Sequence, residues 1–291
     1  MFREITINDI GWIEDCIKDS DCLSCDYSPF NIYGWKNLYK TEIDRMEDCL
    51  ICRLNIDEKW HYLFPCGSGD IISALDTLEK YHNDNFDYPL IFMCNKKQIE
   101  YLGDAYSIEL KPGYYDYVYN TIDLIELKGA KYHGKRNHIA QFNKKYDWKF
   151  VPINNDNLAD AEKLVLEWYE ATGSEDVMLE LNLLRDSVKY SDKFNIVSGL
   201  LYANYEPAAL SVASFPGNDT LDIHIEKGNT KFSGVYAKIM NESVKYAYSV
   251  REFSYVNREE DLGLDNLKKS KLSLHPAFLE EKFVCIKKDI I

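Results

Sequence analysis

The sequence predicts an α+β protein of two similar halves, each a mixed, twisted sheet flanked by helices. Three observations predict it. Short runs with strand character alternate with longer amphipathic runs along all 291 residues. One order of strands and helices occurs clearly once and loosely a second time, with a change of composition near residue 127. The content of 46% hydrophobic and 14% aromatic residues is enough to build a core in each half.

The first half, 1–126, opens with FREITI as a strand, IGWIEDCIKDS as a helix and the helical patch NIYGWKNLY. CLICRLNI and KWHYLFPC read as paired strands. IISALDTLEKYHN is a helix with Ile72, Leu75, Leu78 and Tyr81 apolar. PLIFMC (buried strand), KKQIEYLGD (helix) and YYDYVY (strand) complete it. The second half, 127–291, begins with a basic helix over 128–146, followed by the strand WKFVPI. LADAEKLVLEWYEATG is a helix stopped by Gly173, and another helix covers roughly 177–190. IVSGLLYAN and AALSVASF form a hairpin about Tyr205-Glu206-Pro207. A Pro-Gly-Asn-Asp turn leads to the strand LDIHIEK. GVYAKIMNESVKYAYSV (helix), FSYVNRE (strand), LDNLKKSKLS (helix) and EKFVCIKK (strand) follow.

The net charge of -14 argues against a general nucleic-acid or anionic-membrane binder, since both need a positive surface. The charge is unevenly spread. Residues 127–149 carry six lysines and Arg136 against Asp147 alone, so this segment is +6 and the remainder -20. Any contact with a polyanion such as tRNA is expected through this segment. The N-terminus lacks a basic-then-apolar leader, and no apolar run reaches the roughly 18 residues of a membrane helix. A cytoplasmic location is expected, with the eight cysteines mostly reduced. Cys22/Cys25 and Cys49/Cys52 have C-x-x-C spacing. Cys49 and Cys52 lie three apart on a strand and point to opposite faces, which hinders joint chelation. No metal is expected.

Three stretches carry candidate chemistry. In LDIHIEKGNTKFSGVYAKI, strand alternation puts His224 and Glu226 on one face, and Ile223 and Ile225 on the other. Such a pair suits general acid–base work, or simply a polar strand edge. The loop from Asn229 to Gly234 feeds a helix N-terminus, where free N–H groups and Lys231 would hold a phosphate. In VNREEDLGLDNLKKSKLSLHP, the residues Asn257, Arg258, Glu259, Glu260 and Asp261 follow an apolar strand, at whose carboxyl end ligands gather. Asp261 also suits a helix cap, and Lys268, Lys269 and Lys271 complement the helix dipole. In KGAKYHGKRNHIAQFNKKY, the residues Tyr132, Ile139, Phe142 and Tyr146 form an apolar stripe with Lys135 inside it. A lysine there needs a carboxylate, an anionic ligand, or a stem that snorkels past the core.

The order β-α-α-β-β-β-α-β-α-β resembles the GCN5-related N-acetyltransferase (GNAT, acyl-CoA N-acyltransferase) fold. KYHGKRNHIAQF, HIEKGN, YYDYVYNTIDLIELKG, SCDYSPFNIYGW and above all NREEDLG with its K-L-S continuation resemble the C-terminal domain of phosphatidylglycerol lysyltransferases. The likeness is to that domain's stand-alone, membrane-free relatives, and it covers nearly the whole chain. It implies tandem GNAT-like domains, as in Fem-type aminoacyl transferases, and acyl transfer from aminoacyl-tRNA or acyl-CoA to an amine or hydroxyl. It points to Tyr117, Lys135, Arg136 and Asn137, to His224, Glu226 and Lys227, and to Asn257, Arg258, Glu259 and Asp261. Lys231 and Gly234 take the place of a coenzyme A motif, but Tyr236 puts bulk where a diphosphate would approach. The alternatives are a non-catalytic ligand-binding module on the same fold and a coenzyme A acetyltransferase for a small amine.

Overall fold

The computed structural model describes residues 1–18, 23–173, 177–217 and 219–288. Its strands form two sheets. The first contains Arg3–Glu4 (β1), Glu42–Met46 (β2), Cys49–Ile56 (β3), Lys59–Leu63 (β4), Cys66–Gly67 (β5), Ile91–Asn95 (β6) and Tyr106–Leu110 (β7). The second contains Asp116–Asn120 (β8), Trp148–Pro152 (β9), Ile196–Ala203 (β10), Glu206–Ser214 (β11), Thr220–Gly228 (β12), Tyr255–Asn257 (β13) and Phe278–Glu280 (β14). The last strand, Lys282–Lys287 (β15), returns to the first sheet between β6 and β7. The orders are β1-β2-β3-β4-β6-β15-β7, with β5 on β3, and β14-β8-β13-β12-β11-β10-β9. Both sheets are mixed: β4 runs parallel to β6, and β12 parallel to β13.

The helices are Ile10–Ile17 (α1), Pro29–Gly34 (α2), Lys36–Tyr39 (α3), Ile71–Asn85 (α4), Lys96–Leu102 (α5), Thr121–Glu126 (α6), His133–Lys145 (α7), Leu158–Thr172 (α8), Val177–Lys189 (α9), Val235–Val250 (α10) and Asp265–Leu272 (α11). Several have a visible local cause. Asp70 caps α4 by accepting from the N–H groups of Ile72 and Ser73. Asn95 and Gln98 form a capping box on α5. Gly173 ends α8 in the left-handed conformation, φ 68°. On α7 and at its two ends, Phe142, Tyr132 and Tyr146 are buried and Ile139 is half-buried, while most of the basic side chains face water.

Some elements differ from the sequence reading. FREITI pairs only through Arg3 and Glu4. The strands β2, β7 and β14 and the helix α6 escaped it; in β2 and β7, Glu42, Asp44, Arg45 and Glu109 break the apolar alternation. Two large apolar clusters line the faces of the second sheet. Phe30, Leu210, Val212 and Ile225 share one with α1, α2, α8 and α9. Tyr119, Tyr132, Ile223, Met240, Val244 and Val256 share the other. The first cluster therefore joins the two sheets.

Candidate functional site

The site begins with a break in hydrogen bonding. The parallel ladder of β12 and β13 covers three pairs, from Thr220↔Tyr255 to Asp222↔Asn257. Beyond Asp222, β12 continues to Gly228 held by β11 alone, while the chain after Asn257 turns toward β8. A wedge opens at the carboxyl ends of two parallel strands, where side chains meet without a ladder between them.

A β-bulge decides which side chains enter it. Val212 opposes Ile225 and Ala213 opposes Ile223, so His224 is the extra residue. Alternation fails there. Ile223 packs with Met240 and Val256, whereas Ile225 packs with Phe30 and Val212 on the other face. The expectation that His224 and Glu226 share a face, and Ile223 and Ile225 the other, is overturned by this one inserted residue.

On the face toward α2, His224 stacks on Phe30 at 4.8 Å between ring centres. Its Nδ1 lies 3.0 Å from Glu259 Oε1, and its Nε2 lies 2.8 Å from Ser214 Oγ. Asn31 donates to the same Glu259 oxygen at 2.8 Å. The His224 side chain is only 2% exposed and both ring nitrogens are engaged, so it holds the loop and is closed to a substrate.

On the opposite face, Arg258 Nη2 donates to Glu226 Oε1 at 2.8 Å, across the wedge. The two side chains are 13% and 9% exposed. Arg258 Nε and Nη1 and Glu226 Oε2 are buried and have no hydrogen-bond partner among the described residues. Burial opposes the guanidinium charge, but Glu226 and then Tyr119 outweigh it and raise the Arg258 pKa. Lys135, from α7, is half-buried and donates to Ser273 Oγ at 2.8 Å. Desolvation first, then repulsion from Arg258, lowers its pKa, against an opposing pull from Glu226. Lys135 thus lies within the field of the Glu226–Arg258 pair.

The other expected residues do different work. Asn257 is fully buried, donates to Leu23 O and Asp116 Oδ2, and accepts from Glu259 N. Asp261 accepts from Tyr117 OH at 2.6 Å and from Gly263 N at 2.8 Å, fixing the turn before α11. Its side chain does not cap that helix: Leu264 stands at the N-cap without a side-chain bond. Arg136 donates to the carbonyls of Leu127 and Gly129. Asn137 lies on the exposed side of α7. Lys227 pairs with Glu180 at 3.1 Å and lies over the Trp168 ring.

The loop before α10 is spent on itself. Lys231 N donates to Asn229 Oδ1, Phe232 N to Asn229 O, Ser233 N to Tyr146 OH and Val235 N to Phe232 O. Lys231 reaches Glu206 instead of a ligand. Gly234 has φ 84°, and a Cβ there would lie 2.7 Å from His138 O, so contact with α7 accounts for the glycine. The Tyr236 hydroxyl receives the Trp168 Nε1 proton at 3.0 Å.

Two residues that sequence reasoning missed, Asp116 and Lys282, complete the surroundings with Cys25, which it had named only for its C-x-x-C spacing. Asp116, Lys282 and Cys25 come from distant parts of the chain. Lys282 Nζ lies 2.8 Å from Asp116 Oδ1, 3.1 Å from Asp26 Oδ2 and 3.3 Å from Cys25 Sγ. Cys25 Sγ also donates to Glu260 Oε2 at 3.3 Å. Among the described residues, Cys25, Asp116 and Glu260 bring ligand-type atoms within 4.8 Å of one another. The Lys282 ammonium supplies the cation there. Burial pushes Glu260 up to about 7 despite Lys282, and raises Cys25 further, with Asp116 adding to it. Of the C-x-x-C pairs, Cys22 lies outside the described residues. Cys49 and Cys52 enter different clusters on opposite faces of β3.

Among the described residues, no helix is long and apolar enough to cross a membrane. An uncharacterised protein of Mycoplasmoides gallisepticum is 24% identical over 191 residues, spanning 64% of this chain and 61% of that relative's length. A conserved protein of unknown function from Bacteroides thetaiotaomicron VPI-5482 superposes with a TM-score of 0.92 and 28% identity over 99% of both chains. L-PGS from Bacillus licheniformis has a TM-score of 0.71 at 12% identity, covering 99% of this chain and 94% of that one, which is a likeness of fold. FemX superposes with a TM-score of 0.60 at 9% identity, covering 98% of this chain and 96% of that one, again a likeness of fold. The family model for phosphatidylglycerol lysyltransferase, C-terminal, matches residues 23–286, and the chain belongs to that family.

Proposed function

We propose that the protein transfers an activated acyl or aminoacyl group to an amine or hydroxyl acceptor in the wedge beside β12. The observation that carries this reading is the Glu226–Arg258 pair, which spans the wedge with one carboxylate oxygen and two guanidinium nitrogens unpartnered among the described residues. The acceptor's N–H or O–H gives its proton to Glu226 Oε2 as the new bond to the carbonyl carbon forms. Negative charge on the carbonyl oxygen then faces an open N–H of Arg258. The bond to the donor's ester oxygen or thioester sulfur breaks, and that atom leaves with the proton that Glu226 took from the acceptor.

An aminoacyl-tRNA donor fits better than acyl-CoA, because the N–H groups before α10 already have partners within the chain. The exposed lysines of α7 and its flanks would meet the tRNA backbone. The acceptor is a small molecule or lipid headgroup bearing the amine or hydroxyl. The test is transfer of radiolabelled amino acid from charged tRNA to acceptors of both kinds, with products read by mass spectrometry. Glu226→Gln should lower kcat by about 100-fold or more. An unchanged kcat at every pH would remove Glu226 as the base. Binding of donor without any product would favour the ligand-binding module.

A further inference from the structure

We infer that the outer edge of β7 docks a second copy of this chain, which lays its own β7 antiparallel across a two-fold axis at Ile108. The inference stands apart from the transfer reading, because β7 belongs to the first sheet and the wedge to the second.

β7 ends the first sheet, with β15 on its inner side and, among the described residues, no strand on its outer side. The bonds flanking its ladder reveal which backbone groups are left over. Lys111 N donates to Lys282 O, and Lys288 N to Ala105 O. Between them the register runs unbroken from Leu110↔Phe283 to Tyr106↔Lys287. In an antiparallel ladder every second residue turns both its N–H and its C=O to the same neighbour. Ala105, Ser107, Glu109 and Lys111 therefore serve β15, while Tyr106, Ile108 and Leu110 point theirs outward. No proline or glycine interrupts the strand YSIEL, so nothing blunts this row of free groups.

The side chains carry the core out to the same edge. Residues opposite one another in a ladder share a face, so Ile108 and Leu110 lie on the face of Cys285 and Phe283, which belong to the apolar cluster of α4. Tyr106 is still covered, but Ile108 is 46% exposed and Leu110 61%. The apolar face thus outruns its helices and ends in bare aliphatic groups.

A second copy satisfies backbone and side chains in one register. With the axis at Ile108, that residue meets its own equivalent, and Tyr106 meets Leu110 of the second copy on either side. All three outward residues are then used, with two N–H···O=C bonds for each pair. An axis at Glu109 would set that carboxylate against its own copy, and an axis at Leu110 would need an N–H from Pro112, which has none. In the Ile108 register Glu109 faces Ser107, and its charge is offset by its own Lys111 at 3.0 Å. Lys111 comes level with Ala105 of the second copy, beside Asp104, so opposite charges meet at both ends. The two first sheets become one continuous sheet with an isologous interface.

Light scattering of the whole chain over a roughly 100-fold range of concentration should show its mass rising toward that of two chains. Ile108→Lys puts two ammonium groups at the axis on a site that is exposed in the single chain. It should raise the dissociation constant about 10-fold or more. With diamide as oxidant, Ile108→Cys should form a reducible cross-linked dimer that the wild-type protein, treated alike, does not form. The mass of one chain throughout would overturn the inference and leave the edge to another occupant, such as a peptide strand. A dimer that Ile108→Lys leaves intact would place the interface elsewhere and overturn it too. Should the lysine variant not fold, the cross-link decides: a folded Ile108→Cys protein that stays uncrosslinked would sink the idea. None of these readouts depends on transfer activity.

Discussion

Lys282 Nζ and Asp116 Oδ1 lie 2.8 Å apart, and each opens a strand of a different sheet. Their contact sits at the seam of the molecule, with Asp26, Cys25 and Glu260 around it. Glu259 and Arg258 adjoin Glu260 in the chain. The seam thus sets the path of the loop whose side chains reach into the wedge.

Glu260 should make stability depend on pH across the neutral range. Its ordinary pKa of 4.5 is raised to about 7 in the folded protein, chiefly by burial. The folded state then holds this proton more tightly than the unfolded chain. Stability from this group is full below about pH 4.5, falls as pH rises toward 7 and is level above it, a change on the order of a few kcal/mol. Urea unfolding between pH 5 and 8 should show the fall, and Glu260→Gln should flatten it. A variant with the wild-type slope would assign the effect elsewhere.

His224 is expected to matter for structure and not for proton transfer. His224→Ala takes a partner from Ser214 Oγ and one of two from Glu259 Oε1, next to a new cavity, at a cost of about 2–4 kcal/mol. The pH profile of kcat should keep its wild-type shape, even where its height drops. A lost acid limb in the variant would restore His224 as a base.

Gly234→Ala should destabilise the protein by about 1–3 kcal/mol, because the residue has φ 84° and its Cβ would meet a backbone carbonyl of α7. Thermal unfolding reads this directly. Gly129, also at positive φ but with open space around it, is the control: its alanine variant suffers the backbone strain without the clash.

Acetyl-coenzyme A should bind no more tightly than about 1 mM, a regime worth roughly 4 kcal/mol. The loop before α10 has Lys231, Phe232, Ser233 and Val235 N–H groups engaged, and Lys231 is paired with Glu206. Calorimetric titration checks it. Micromolar binding lost in Lys231→Ala would return coenzyme A as donor.

The sequence by itself determined most of the element types, the α+β class, the apolar stripe of α7 and the concentration of charge after Val256, because these follow from local periodicity and residue chemistry. It also placed Glu226, Arg258 and Lys135 among its candidates. Only the tertiary structure decided that Glu226 and Arg258 pair, with Lys135 in their field, while His224 turns away, since a single bulged residue reverses every later side chain on a strand. It alone brought Cys25, Asp116 and Lys282 together, because contacts across more than ninety residues leave no periodic trace. The opposed charges of NREEDLG became legible there as separate pairings: Arg258 with Glu226, Glu259 with His224, Glu260 with Lys282 and Asp261 with Tyr117. Burial forces each charge to find its own partner, and most of those partners are distant in sequence.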